Sequence, residues 1–215
     1  SAMGPTTGWI AGWAIIVADI IVMANLSQIA GLYSFLLLGI DNPSTLAVTT
    51  VGVAWIVIMT AICYIGIELS ARTQIFLLGA EIATLGLFAV VALIKVYAGD
   101  FPDSIDPSMS WLNPFTIDST TALIDGVLVA VFIYWGWDSA VTVNEETEDP
   151  TEGPGKSAVV STLILLGIYV IVSIAAQAVH GEDFLRQNKD DVLSALGADV
   201  FGSPLDKILI IAVLT

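Results

Sequence analysis

Hydrophobic positions in this chain come as long, nearly unbroken runs, without the strict alternation of a strand or the narrow stripe of a surface helix. A membrane-spanning helix needs about 20 mostly apolar residues, because the hydrocarbon layer is roughly 30 Å thick and each helical residue rises about 1.5 Å. Residues 8–38, 45–69, 73–96, 119–143 and 157–179 meet that length. A further apolar run starts at Ser203-Pro204, read as an N-cap and first-turn pair, and covers residues 203–215, too few to cross. Residues 98–118 and 181–202 are acidic and rich in turn formers, and are read as solvated loops. The expected fold is all-α: a polytopic membrane helix bundle forming a single transmembrane domain over residues 1–215, an internal stretch of a longer membrane protein.

Composition sharpens this picture. Hydrophobic residues make up 56% of the 215 and charged residues only 13%, whereas a soluble domain carries about 25% charge. The formal net charge of −15 repels phosphate backbones, so nucleic acid is excluded as a partner and the lipid bilayer takes its place. A single cysteine, Cys63, precludes an intrachain disulfide and is read as a small packing residue. A single histidine, His180, gives neither a metal cluster nor the base an intramembrane hydrolase would need at depth. No catalytic residue, metal or cofactor is called for.

Ionisable groups inside spanning segments are costly and tend to face a pathway or a partner. Asp19 lies eleven residues into the first run, roughly 16 Å deep, and Asn25 and Gln28 follow along what reads as one side of the helix. The amides either line a cavity or hydrogen-bond neighbouring helices. Glu81 lies roughly 12 Å into the third run, where a carboxyl is protonated, paired or bound to a cation. Glu68 ends its run four residues before Arg72, the spacing of an ion pair.

The segment from Ser119 to Thr147 is the most informative. It is too long for one perpendicular helix, and at its centre stands Ile133-Tyr134-Trp135-Gly136-Trp137-Asp138. Two readings are open. In one, the helix is interrupted at Gly136, and its freed carbonyls and amides suit the two charges of a zwitterion. In the other, a tilted continuous helix uses Gly136 as a packing notch.

The stretch from Phe132 to Asp138, followed by Glu145-Glu146-Thr147 and Asp149-Pro150, resembles the sixth helix and following loop of the amino acid/polyamine/organocation transporter superfamily. Gly4-Pro5-Thr6-Thr7-Gly8-Trp9 resembles the entry to that family's third helix. The resemblance covers essentially the whole chain, as helices three to seven and the start of eight of a five-plus-five inverted repeat. It implies a secondary active amino acid transporter, a multi-pass protein of the cell membrane whose substrate is an amino acid or amine. A non-transporting sensor or scaffold of the same fold is the alternative. The resemblance places substrate at Ile133, Tyr134, Trp135, Gly136, Trp137 and Asp138, with Asp19 and Asn25 lining the cavity. It assigns gating to Glu145 and Glu146. Glu81 departs from the family pattern, since some proton-coupled members carry a basic residue at that place on helix five. Ion coupling is read at Glu81 from its depth: a protonatable carboxyl fits a proton, preferred over sodium, in symport or exchange, and an ionised one fits a bound cation.

Overall fold

The computed structural model describes residues 4–117, 119–134, 136, 147, 151–189 and 191–214. Those residues form helices and turns with no strand: α1 (Pro5–Leu37), α2 (Thr45–Ile65), α3 (Ile67–Ala98), α4 (Thr120–Ile133), α5 (Gly153–Gln187), α6 (Val192–Phe201) and α7 (Lys207–Leu214). Among them α1, α2, α3 and α5 are long and apolar enough to cross a membrane, and α4 is a shorter apolar helix of 14 residues. The architecture is an all-α polytopic membrane bundle. Two compact units can be distinguished, Ser1–Thr84 with Leu193–Thr215, and Leu85–Val192.

The first unit is built on the α1–α2 hairpin. Backbone N–H groups of Gly39 and Ile40 donate to the carbonyls of Leu36 and Phe35, at 2.9 and 3.0 Å, and close the end of α1. Gly39 can occupy the required left-handed conformation, with φ of 77°, because it has no Cβ. Ser44 then caps α2, its hydroxyl accepting from the Ala47 N–H at 3.3 Å. Between the helices, a Cβ at Gly31 would collide with the Val48 carbonyl and one at Gly52 with the Ser27 carbonyl. In lipid no hydrophobic force drives helices together, so close backbone approach through such small residues supplies the packing. Two hydrogen bonds fix the register: Gln28 Nε2 donates to Thr49 Oγ1 and Trp55 Nε1 to Ser34 Oγ, both at 2.9 Å.

Four sequence expectations are corrected by the elements that follow. The second run ends at Ile65, because Gly66 adopts φ of 156° and breaks it. Glu68 therefore opens α3, where a carboxylate complements the positive end of the helix dipole, and it pairs with Arg72 at 2.6 Å. Residues 181–202 are not simply a solvated loop: α6 forms within them and buries Leu196, Gly197 and Val200. Their spacing of three and four puts an apolar stripe on a short helix, outweighing the acidic composition. Finally, Ser203-Pro204 belongs to a turn in which Asp206 N–H donates to the Gly202 carbonyl at 2.9 Å, and the helix starts only at Lys207. Lys207 Nζ reaches the Leu37 carbonyl at 2.9 Å, satisfying an orphan acceptor at the end of α1. Cys63 is exposed, with its sulfur 3.6 Å from Ser70 Oγ, rather than a packed residue.

In the second unit the core consists of Phe88, Ala89, Ala92 and Val96 of α3, Phe101, and Ala175, Ala176, Ala178 and Val179 of α5. Helix α5 is broken at Gly181, with φ of 76°. The break frees the Ala178 carbonyl, which accepts from the Ile105 N–H at 2.8 Å. A Cβ at Gly181 would come within 2.8 Å of Ile105 Cδ1, so the glycine serves both the break and the docking of the loop. His180 is half-buried and packs on Phe101 and Phe184, with ring centroids 5.6 and 4.5 Å away.

Candidate functional site

Helix α4 starts at Ser119, whose hydroxyl accepts from the Ala122 N–H at 3.1 Å, and it stops at Ile133. Tyr134 closes the last turn by donating its N–H to the Ala130 carbonyl at 3.1 Å. Gly136 has φ of 94°, a conformation foreign to a helix. The uninterrupted helix with Gly136 as a packing notch is therefore excluded. Trp135, Trp137, Asp138, Glu145 and Glu146 lie outside the described residues.

The end of α4 faces α5. Tyr169 donates its hydroxyl to the Ile133 carbonyl at 3.3 Å, and its ring meets that of Tyr134 edge to face, with centroids 5.5 Å apart. An acceptor that has lost its intrahelical partner is thus held by a side chain 36 positions later. Around this contact lies an open cavity of about 270 Å³. Its α4 wall is Ile133 and Tyr134, and Trp111 and Leu112 of the loop form a second wall. Along α5, Leu166, Tyr169, Val170, Ser173, Ile174 and Gln177 complete it. These α5 positions step by three, one, three, one and three, one helical face. A wider depression of about 510 Å³ is formed by loop residues 110–114, 116 and 117 without an ionisable side chain, and is loop surface.

Of the sequence candidates Ile133 and Tyr134 line this cavity, whereas Tyr169, Ser173 and Gln177 on its α5 wall were not among them. The available signal was the recurrence of polar-tipped side chains at spacing four within an otherwise apolar run. The remaining candidates belong to the first unit. Asp19 and Asn25 are exposed on α1. Gln28 is taken up by α2, as a residue bridging neighbouring helices. Six residues at 100° each carry Asn25 about 120° around the helix from Asp19, so the expected clustering of Asp19 with Asn25 and Gln28 on one side does not hold. Glu81 is half-buried on α3. Among the described residues no three His, Cys, Asp or Glu gather in a group that could hold a metal ion.

A short apolar helix that stops beside an open cavity, in a chain with several bilayer-length helices, defines a multi-pass integral membrane protein with a cavity at a helix break. The family model described as amino acid permease matches residues 1–215, and the chain belongs to that family. It is similar to an uncharacterized protein of Methanocaldococcus jannaschii, with 23% identity over 162 residues, 75% of this chain and 34% of that protein. The chain thus spans about a third of the length of that relative. No solved structure matches it.

Proposed function

We propose that the chain is part of a secondary active amino acid transporter that works by alternating access and makes no covalent bond to its substrate. One observation carries this reading: α4 ends at Ile133 against an open cavity, in a chain of the amino acid permease family. The last carbonyls of a helix lack intrahelical donors and carry partial negative charge, which suits a substrate ammonium. On this reading the ammonium of an amino acid or amine binds the backbone around Ile133, Tyr134 and Trp135, and Gly136 provides the turn. Trp137 and Asp138 flank it, Asp19 and Asn25 contribute from α1, and Glu145 and Glu146 gate the inner mouth. Glu81 carries a proton, coupling transport to a proton gradient in symport or exchange. Both units act within one transmembrane domain of the cell membrane.

The test is uptake of radiolabelled amino acids and amines by the full-length polypeptide in liposomes, with proton and sodium gradients imposed separately. Accumulation driven by the proton gradient is the expected result. Binding without flux would replace the transporter by a sensor or scaffold, and sodium-driven uptake would remove the proton from the scheme.

A further inference from the structure

Between Asp106 and Asp118 the loop after α3 carries a stretch, residues 107–117, without one ionisable side chain. Its large apolar side chains stand outward: Phe115 is 94% and Met109 82% accessible, and Leu112 and Ile117 are exposed as well. Single apolar residues on a surface need no explanation, but so many within so short a stretch form a patch.

The depth of this stretch follows from its seat on α5. The Ile105 N–H donates to the Ala178 carbonyl at 2.8 Å. Ala178 lies ten residues beyond Ile168, the middle of the apolar run over residues 157–179, which puts it roughly 15 Å from the midplane, at the hydrocarbon edge. Trp111 and Leu112 line the α4–α5 cavity with α5 residues that all precede Ala178, so the stretch reaches that edge or passes inside it. Helix α4 then begins at Thr120 and exposes Leu123, Ile124 and Val127, making the patch continuous with the apolar surface of a helix in the bilayer. Backbone hydrogen bonding is a second, independent observation. In the short 3-10 helices Met109–Leu112 and Pro114–Thr116, the N–H groups of Trp111, Asn113 and Thr116 donate to the carbonyls of Ser108, Ser110 and Asn113 at 3.0, 3.1 and 3.2 Å. Those of Ser110 and Phe115 donate to Ser108 Oγ and Asn113 Oδ1 at 3.3 and 3.1 Å, and Pro107 and Pro114 have no N–H to satisfy. A loop in water can leave its donors to the solvent, whereas a backbone at the hydrocarbon edge must close its bonds on itself.

We infer that residues 107–117 are an interfacial anchor whose partner is the lipid bilayer, at the boundary between headgroups and acyl chains. Met109, Leu112 and Phe115 enter that boundary, while the exposed Asp100, Asp103 and Asp106 stay in water. The solvated loop expected from acid content is then confined to residues 99–106. Because Trp111 and Leu112 belong to the anchor, the bilayer steadies the loop wall of the cavity. The inference needs only a membrane location and stands whether the protein transports or senses.

The experiment places an environment-sensitive fluorophore on single cysteines, Met109→Cys, Phe115→Cys or Asp103→Cys. The full-length polypeptide is used in phosphatidylcholine vesicles, with Cys63→Ser and every other cysteine replaced likewise. Nitroxides on the acyl chains are expected to quench positions 109 and 115 at least about threefold more than position 103, and aqueous iodide is expected to show the reverse order. Adding Phe115→Asp is expected to lower lipid quenching at position 109 by about twofold, since a charge resists entry into the boundary. Iodide quenching at 115 equal to that at 103 overturns the anchor in favour of a solvated loop. Resistance of 109 and 115 to both quenchers also overturns it, and gives the patch to another part of the polypeptide or to a second copy. Unchanged lipid quenching at 109 in a folded Phe115→Asp overturns joint insertion. Size-exclusion profiles identify a variant that fails to fold, and the labels at 109 and 103 then decide by themselves.

Discussion

The α1–α2 contact and the α4–α5 contact are made from similar apolar helices, yet one is closed and the other open. In the first, Gly31 and Gly52 bring backbones together so closely that no Cβ fits, and Gln28, Thr49, Ser34 and Trp55 use their polar atoms on one another. In the second, bulky Tyr134 and Tyr169 meet edge to face, a 3.3 Å hydrogen bond runs from Tyr169 to the Ile133 carbonyl, and a cavity remains. Residue size at the contact decides the outcome: small residues give van der Waals packing, and large ones meeting edge to edge leave space between them. Polar groups follow suit, bonded to one another across the helices in one place and standing beside an open cavity in the other.

The largest effect that would break this contrast is expected from opening the closed contact. Gly31→Val should cost ~3 kcal/mol, because the obstacle is backbone and cannot rotate away, and the loss of folded protein would be read by thermal unfolding in detergent. Gly126→Ala on α4, where a new Cβ meets nothing within 4 Å, serves as its counterpart and should be neutral or gain up to ~1 kcal/mol of helix propensity. Next, Lys207→Met removes the donor from the Leu37 carbonyl and should cost about 1.5 kcal/mol by the same measurement. At the open contact, Tyr169→Phe leaves the ring pair but frees the Ile133 carbonyl. If the hydroxyl holds the place of the substrate ammonium, isothermal titration should show affinity rising by about 5-fold, the worth of one ordinary hydrogen bond. A fall in affinity would mean that the hydroxyl positions the carbonyl instead. The smallest effect is expected for Glu68→Gln, whose exposed pairing with Arg72 is worth at most ~0.5 kcal/mol in thermal unfolding.

The closed contact was the more legible in sequence. Its helices announce themselves as long apolar runs; outside that contact, on α3, the four-residue spacing of Glu68 and Arg72 was likewise enough to pair them correctly. Boundaries were less so, since Gly66 ends α2 in the middle of what reads as one run extending to Leu69. Helix α6 was hidden by its acidic neighbours, although Leu196 and Val200 carry its stripe. For the open contact, Ile133 and Gly136 were visible because a glycine among bulky aromatics is a local anomaly. Tyr169 was not, because a tyrosine in an apolar run has no local contrast and acquires meaning only from a carbonyl far back in the chain.

The hydrogen bond from Ile105 to Ala178 has a bearing on the order in which the protein matures. It joins segments well separated in sequence, and closing so long a loop carries an entropic cost that delays its formation relative to the helices themselves. Trp111 and Leu112 follow Ile105 in that same loop, and their wall can face α5 only once the loop has seated at Gly181. The cavity beside α4 is thus a late product of folding, closed by its loop wall only after the helices that flank it have formed.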